Sequence, residues 1–244
     1  MKWKVGIILF LFYSLFLNSQ DTLVFEHFGL MRLFRSVPEP TYTVIFISGD
    51  GSINQRVKEM STVLASQDAL VVTIDIIHYL KQLEISKAPC SNPAGDFIAL
   101  SKFIKEKVKT KSNKRPVLVG YSSGATLVYA ILVQAPPDSF QGGISIGFCP
   151  DLLVKKPFCK GNGLEWEPGP GGKGYNFLPS NDLTNPWIAL QGTEDKICEI
   201  TASEEFIKKI RDSEVIKLEK VGHGFKNQSR WAPVLKEIYR KIRD

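Results

Sequence analysis

The run Val117-Leu118-Val119-Gly120-Tyr121-Ser122-Ser123-Gly124-Ala125 constrains this chain more than any other. An apolar, β-branched stretch empties into G-x-S-x-G, and a helix-forming run from Ala125 to Val133 follows at once, so the segment reads as strand, sharp turn and helix. In such a turn the serine takes a strained backbone conformation that lifts its hydroxyl above the sheet edge. Glycines two residues to either side let neighbouring backbone pass close. Ser122 is therefore the candidate nucleophile. The plainer reading of the same residues is a tight turn with a capping serine, and the downstream sequence decides between the two.

After an expected strand, Pro186 to Leu190, comes Gln191-Gly192-Thr193-Glu194-Asp195. After the last, Val215 to Glu219, comes Val221-Gly222-His223-Gly224-Phe225. A serine hydroxyl is a poor nucleophile until an imidazole accepts its proton, and the imidazole needs a carboxylate to fix its tautomer and stabilise its charged form. His223 is the candidate base and Asp195 the candidate orienting acid, with Glu194 and Asp151 as rival acids. The other two histidines, His27 in an expected hairpin and His78 after the strand Leu70 to Ile76, read as surface or packed residues. The order serine, acid, histidine, each at the carboxyl end of an expected strand, resembles that of the α/β-hydrolases. Oxyanion donors would then be the backbone N–H of Ser123 and one from Ser48-Gly49-Asp50-Gly51-Ser52, at Asp50 or Gly51.

Strand and helix signals alternate along nearly all of the 244 residues without a linker or repeat. This predicts one α/β domain from residue 21 onward, with about eight strands in a mostly parallel sheet and helices on both faces. Helices are expected near 53–67, 94–109, 124–134, 201–211 and 229–243. Strands are expected near 69–76, 115–120, 141–147, 186–191 and 214–219, after a hairpin over 22–36 and the strand Thr43 to Ile47. Asp96 opens the second of these helices as a cap or salt-bridge residue. Residues 150–185, rich in glycine and proline with Trp166, Tyr175 and Phe177 among them, cannot make a long helix or central strand. They read as a lid-like, substrate-covering insertion, with an aromatic-pinned connector as the alternative.

The first twenty residues stand apart. Met1-Lys2-Trp3-Lys4 is basic, Val5 to Leu17 is almost wholly apolar, and Asn18-Ser19-Gln20 precedes Asp21, the pattern of a secretory signal peptide cleaved near Ser19 or Gln20. The apolar stretch falls short of the roughly 20 residues that span a bilayer. Four cysteines suit an oxidising compartment, and three pairings are open. One hypothesis is Cys149 with Cys159 and Cys90 with Cys198. The cysteine spacing matches no metal site, and no cofactor motif is present. The formal charge of +6 includes Lys2 and Lys4. Such a mild excess fits a solvated exterior or contact with an anionic membrane surface, and no aromatic-interleaved basic motif suggests nucleic acid.

Ser48-Gly49-Asp50-Gly51, Asp96, Gly120-Tyr121-Ser122-Ser123-Gly124-Ala125 and Gly192-Thr193-Glu194-Asp195-Lys196-Ile197-Cys198 together resemble the VirJ/AcvB family of bacterial virulence proteins, over roughly residues 41–243. The family patterns S-G-D-G-G-W and G-Y-S-F-G-A-D are matched except at Ser52, Ile53, Ser123 and Thr126, departures that spare Ser122. The resemblance implies a periplasmic α/β-hydrolase-like protein. From the AcvB branch it implies hydrolysis of aminoacyl esters of phosphatidylglycerol such as lysyl-phosphatidylglycerol, and from the VirJ branch an association with secretion-system proteins. An aminoacyl ester would need an acidic group for its ammonium, for which Asp50, Glu165, Glu167 and Glu194 are candidates. The residues themselves point to a serine hydrolase of small-molecule or lipid esters. The alternatives are a generic carboxylesterase or peptidase, and a non-catalytic binding protein on a hydrolase fold.

Overall fold

The computed structural model describes residues 22–244; the expected signal peptide lies outside them. β1 (Thr22–Phe25) and β2 (Gly29–Phe34) make the expected hairpin about Gly29. There follow β3 (Tyr42–Ile47), α1 (Gln55–Ala65), β4 (Ala69–Ile74), α2 (Ile76–Ile85), α3 (Pro93–Lys107), β5 (Val117–Tyr121), α4 (Ser123–Gln134) and β6 (Gly142–Ile146). Three short strands come next, β7 (Asp151–Leu152), β8 (Trp166–Pro168) and β9 (Tyr175–Phe177). The chain closes with β10 (Trp187–Gly192), α5 (Ile200–Ile207), β11 (Ser213–Leu218) and α6 (Gln228–Arg243).

The main sheet has eight strands in the order β1-β2-β4-β3-β5-β6-β10-β11. From β4 to β11 every pairing is parallel; the β1–β2 hairpin adds an antiparallel edge. Parallel strands covered on both faces are apolar on both faces, and the alternation sorts them. Val44, Phe46, Val117, Val119, Ile188 and Leu190 join the core under α1 and α6, while Ile45, Ile47, Leu118 and Ala189 join the core under α2 to α5. β3 lies at the point where strand order reverses, so the loop after it and the loop after β5 open side by side at the carboxyl edge.

One sequence expectation needs correction, and another is decided between its two alternatives. The strand expected through Ile76 ends at Ile74, because Asp75 accepts from the amides of Ile77 and His78 and so caps α2, a helix absent from the sequence reading. Of the two roles expected for Asp96, cap or salt bridge, the second is the one observed: Asn92 caps α3, while Asp96 accepts from Tyr79 and faces His27 at 3.4 Å.

Residues 150–185 fold into a small antiparallel sheet, β7-β9-β8, docked along α4. Leu152, Val154, Phe158, Leu164, Phe177 and Leu183 share one core with α4. Tyr129 donates to Leu178 O and accepts from Ser180 N, and Gln134 donates to Cys159 O. Every residue of α4 from Gly124 to Gln134 is buried as a result. A helix apolar on all sides requires such a cover, which explains why Ala125 to Val133 carries no polar face.

Candidate active site

Ser122 sits between β5 and α4 with φ +55° and ψ −125°, a left-handed conformation that costs a non-glycine residue about 1–3 kcal/mol. Two glycines permit it. A Cβ on Gly120 would lie 2.1 Å from Gly124 O, and one on Gly124 would lie 2.4 Å from both Ile47 O and Ser48 O. The elbow is thereby packed directly against the end of β3.

The structure brings Ser122, His223 and Asp195 into one hydrogen-bonded chain. Ser122 Oγ is 2.9 Å from His223 Nε2, and His223 Nδ1 is 2.8 Å from Asp195 Oδ2. Asp195 Oδ1 accepts from the amides of Ile197 and Cys198, both at 2.9 Å. Burial raises the pKa of Asp195, but the hydrogen bonds from His223 and from the two amides outweigh it and leave the carboxyl below its ordinary value. An ionised Asp195 makes Nδ1 the protonated nitrogen, which frees Nε2 to accept from the serine hydroxyl. The Asp195 side chain is fully buried, whereas the rivals Glu194 and Asp151 are exposed. His27 and His78 lie elsewhere, His27 beside Asp96 and His78 against Gly29.

The turn after β3 closes through Ser52 N donating to Gly49 O. Asp50 Oδ1 accepts from Ser123 Oγ at 2.6 Å, so the two stretches expected to supply oxyanion donors, Ser123 and the Asp50-Gly51 turn, are latched together. A Cβ on Gly49 would come within 2.9 Å of Ser122 Cβ, which keeps that position free of side chain. Of the other acidic candidates, Glu165 pairs with Lys160 and Glu167 accepts from Asn176.

Three supports were not read from the sequence. Tyr121 donates to His223 O at 2.7 Å and stacks its ring on the imidazole. Arg56, on α1, donates to Gly224 O at 3.0 Å and so holds the histidine loop from the other side. Gly147, at φ +63°, leaves room for the imidazole, which a Cβ there would meet at 3.3 Å. Only Tyr121, inside the elbow motif, stood where a sequence signal could have found it.

The cysteine pairing differs from the one hypothesised. Cys90 is bonded to Cys159 and Cys149 to Cys198. Cys159 is carried along the outside of α4 to Gln134, near Cys90 at the start of α3, whereas Cys149 stays at the end of β6 beside the acid turn. Nearness in sequence between Cys149 and Cys159 therefore does not become nearness in space. Two disulfides fit an exported protein. Among the described residues no cluster of metal-ligating side chains and no helix long and apolar enough to cross a membrane is present.

Residues 41–144 match the family model described as bacterial virulence protein (VirJ). The VirJ match runs from β3 through α4 into β6. It includes the Asp50-Gly51 turn and the Ser122 elbow and ends before Asp195 and His223. No curated protein sequence matches the chain. Among solved structures, the esterase domain of a Rhodothermus marinus protein is 17% identical with TM-score 0.61, covering 91% of this chain and 97% of its own. Est1E from Butyrivibrio proteoclasticus is 14% identical with TM-score 0.60, covering 87% and 93%. XC6422 from Xanthomonas campestris, described as an α/β serine hydrolase without lid, is 17% identical with TM-score 0.56, covering 92% and 94%. At these identities the likeness shows the fold, which is that of the α/β-hydrolases.

Proposed function

We propose that the protein is a serine hydrolase of carboxylic esters. The observation that carries this reading is the Ser122 hydroxyl, held on a left-handed elbow 2.9 Å from an imidazole that a buried carboxylate orients. Ser122 Oγ attacks the ester carbonyl as His223 Nε2 takes its proton. The oxyanion is received by the Ser123 amide and by that of Asp50 or Gly51. His223 then protonates the departing alcohol, and in the second half-reaction it activates water against the acyl-enzyme. No cofactor enters this cycle.

For substrate, the VirJ/AcvB resemblance favours an aminoacyl ester of phosphatidylglycerol, presented at an anionic membrane surface of the periplasm. Asp50, whose Oδ1 accepts from Ser123 beside the elbow, is the acidic residue this reading assigns to the ammonium. An association with secretion-system proteins rests on the resemblance alone. We take residues 150–185 as a fixed cover of α4 rather than a moving lid, since their apolar side chains are shared with that helix.

Fluorophosphonate labelling of the mature protein, with mass spectrometry to locate the adduct, tests the reading. Labelling is expected at Ser122 and lost in Ser122→Ala. A folded protein that does not label at Ser122 refutes it in favour of a binding role.

A further inference from the structure

The disulfide between Cys149 and Cys198 ties the acid turn to the loop after β6. Asp195 Oδ1 accepts from the amide of Cys198 itself, so one residue carries both the bridge and a hydrogen bond to the carboxylate. Gln191 adds to the arrangement: it accepts from Phe148 N and donates to Cys198 O. On the other side, Gly147 packs on the His223 ring, Phe148 O accepts from Ser203, and Cys149 O accepts from Thr126 in the first turn of α4. Residues 147–149 thus lie against the base, the acid turn and the helix that begins at the nucleophile. The other bridge, Cys90–Cys159, meets α4 at Gln134, the far end of a 12-residue helix about 18 Å long at 1.5 Å per residue.

We propose that Cys149 and Cys198 are positioning residues whose disulfide fixes the Asp195 carboxylate against His223, making full hydrolytic activity conditional on that bond. The inference rests on the hydrolase reading above. Cys149 is only half-buried, so a small dithiol reaches it in the folded protein. Reduction breaks the Sγ–Sγ bond and leaves two thiols while the dithiol closes to its own disulfide, two electrons and two protons passing between them. The acid turn then keeps its internal amide bonds to Asp195 Oδ1 and the Gln191 link, but loses its covalent tether to the loop after β6, and the carboxylate is held less closely against the imidazole. Because Ser122 and the oxyanion turn are held by the elbow and the end of β3, apart from this bridge, the loss falls on the chemical step.

The test uses two double variants of the mature protein, Cys149→Ala/Cys198→Ala and Cys90→Ala/Cys159→Ala, assayed on a short-chain p-nitrophenyl ester alongside the rate of fluorophosphonate labelling. The first is expected to lose about 10- to 100-fold in kcat, as a misplacement near 1 Å does, with KM within about threefold. The second is expected to keep wild-type kcat. In the Cys90→Ala/Cys159→Ala protein, which retains only the acid-turn bridge, dithiothreitol should lower kcat with unchanged far-UV circular dichroism, and reoxidation should restore it. Equal kcat in the two double variants, or a loss on reduction that tracks loss of the dichroism signal, overturns the inference. A wild-type protein that labels normally beside such a result confines the failure to the positioning role. A folded wild-type protein without labelling at Ser122 overturns the hydrolase reading and this inference with it.

Discussion

Asp195→Asn separates the carboxylate's charge from its place in the fold. The carboxylate makes two kinds of bond: Oδ2 accepts from His223 Nδ1, and Oδ1 accepts from the Ile197 and Cys198 amides. Asparagine keeps one acceptor oxygen, and the two amides, rigid parts of the turn, claim it. Its NH2 group then faces Nδ1, which has to become the acceptor, so the ring proton moves to Nε2 and blocks the nitrogen that should receive the Ser122 proton. A wrong tautomer in this position costs about 10⁴-fold in kcat, or about 5.5 kcal/mol at 1.36 kcal/mol per decade. The fold should survive, because both amides remain satisfied. Asp195→Ala leaves them without an acceptor and should cost about 1–3 kcal/mol of stability besides. The same carboxylate makes stability depend on pH. A carboxyl held below its ordinary value of 3.8 adds stability that is fully present above that pH and is lost as pH falls through the lowered value. The gap in melting temperature between wild type and Asp195→Asn should therefore narrow in acid. Hydrolysis of a p-nitrophenyl ester and thermal denaturation from pH 2 to 7 measure both effects. An Asn variant within tenfold of wild-type kcat would refute the tautomer argument, and one as unstable as Ala would refute the claim that the amides take the remaining oxygen.

Other substitutions probe the surroundings. Gly124→Ala places a Cβ 2.4 Å from two backbone carbonyl oxygens that cannot turn away, and should cost about 3 kcal/mol in urea unfolding. Asp50→Ala and Ser123→Ala should each slow fluorophosphonate labelling about fivefold, and the double variant should be no slower than either single one, since both remove one latch. Arg56→Met frees Gly224 O and should lower kcat about tenfold with KM unchanged; a rise in KM alone would show that the guanidinium binds substrate instead.

The elbow was legible because its demands are local: β-branched residues, two glycines and a helix former within nine positions leave one arrangement. The ends of β10 and β11 were legible for the same reason, and the residues there, Asp195 and His223, were named from chain order. The strand through Ile74 was extended too far because Ile76 and Ile77 continue a β-branched run, and only Asp75, as a cap, marked the break. The pairing of cysteines and the supports from Arg56 and Gly147 depend on which loops the sheet order brings side by side, and no local pattern records that. The absent polar face of α4 could have announced the docked β7-β9-β8 sheet, but an apolar run reads equally as any buried helix.

The two bridges also interlock along the chain. In order the cysteines are 90, 149, 159 and 198, and the native bonds join the first to the third and the second to the fourth. Cysteines that oxidise in the order in which they enter an oxidising compartment join first to second, and that bond belongs to neither native pair. Native bridging of this chain therefore runs either through oxidation delayed until the chain has folded or through exchange of an early non-native bond, and only the second route needs a thiol able to reshuffle it.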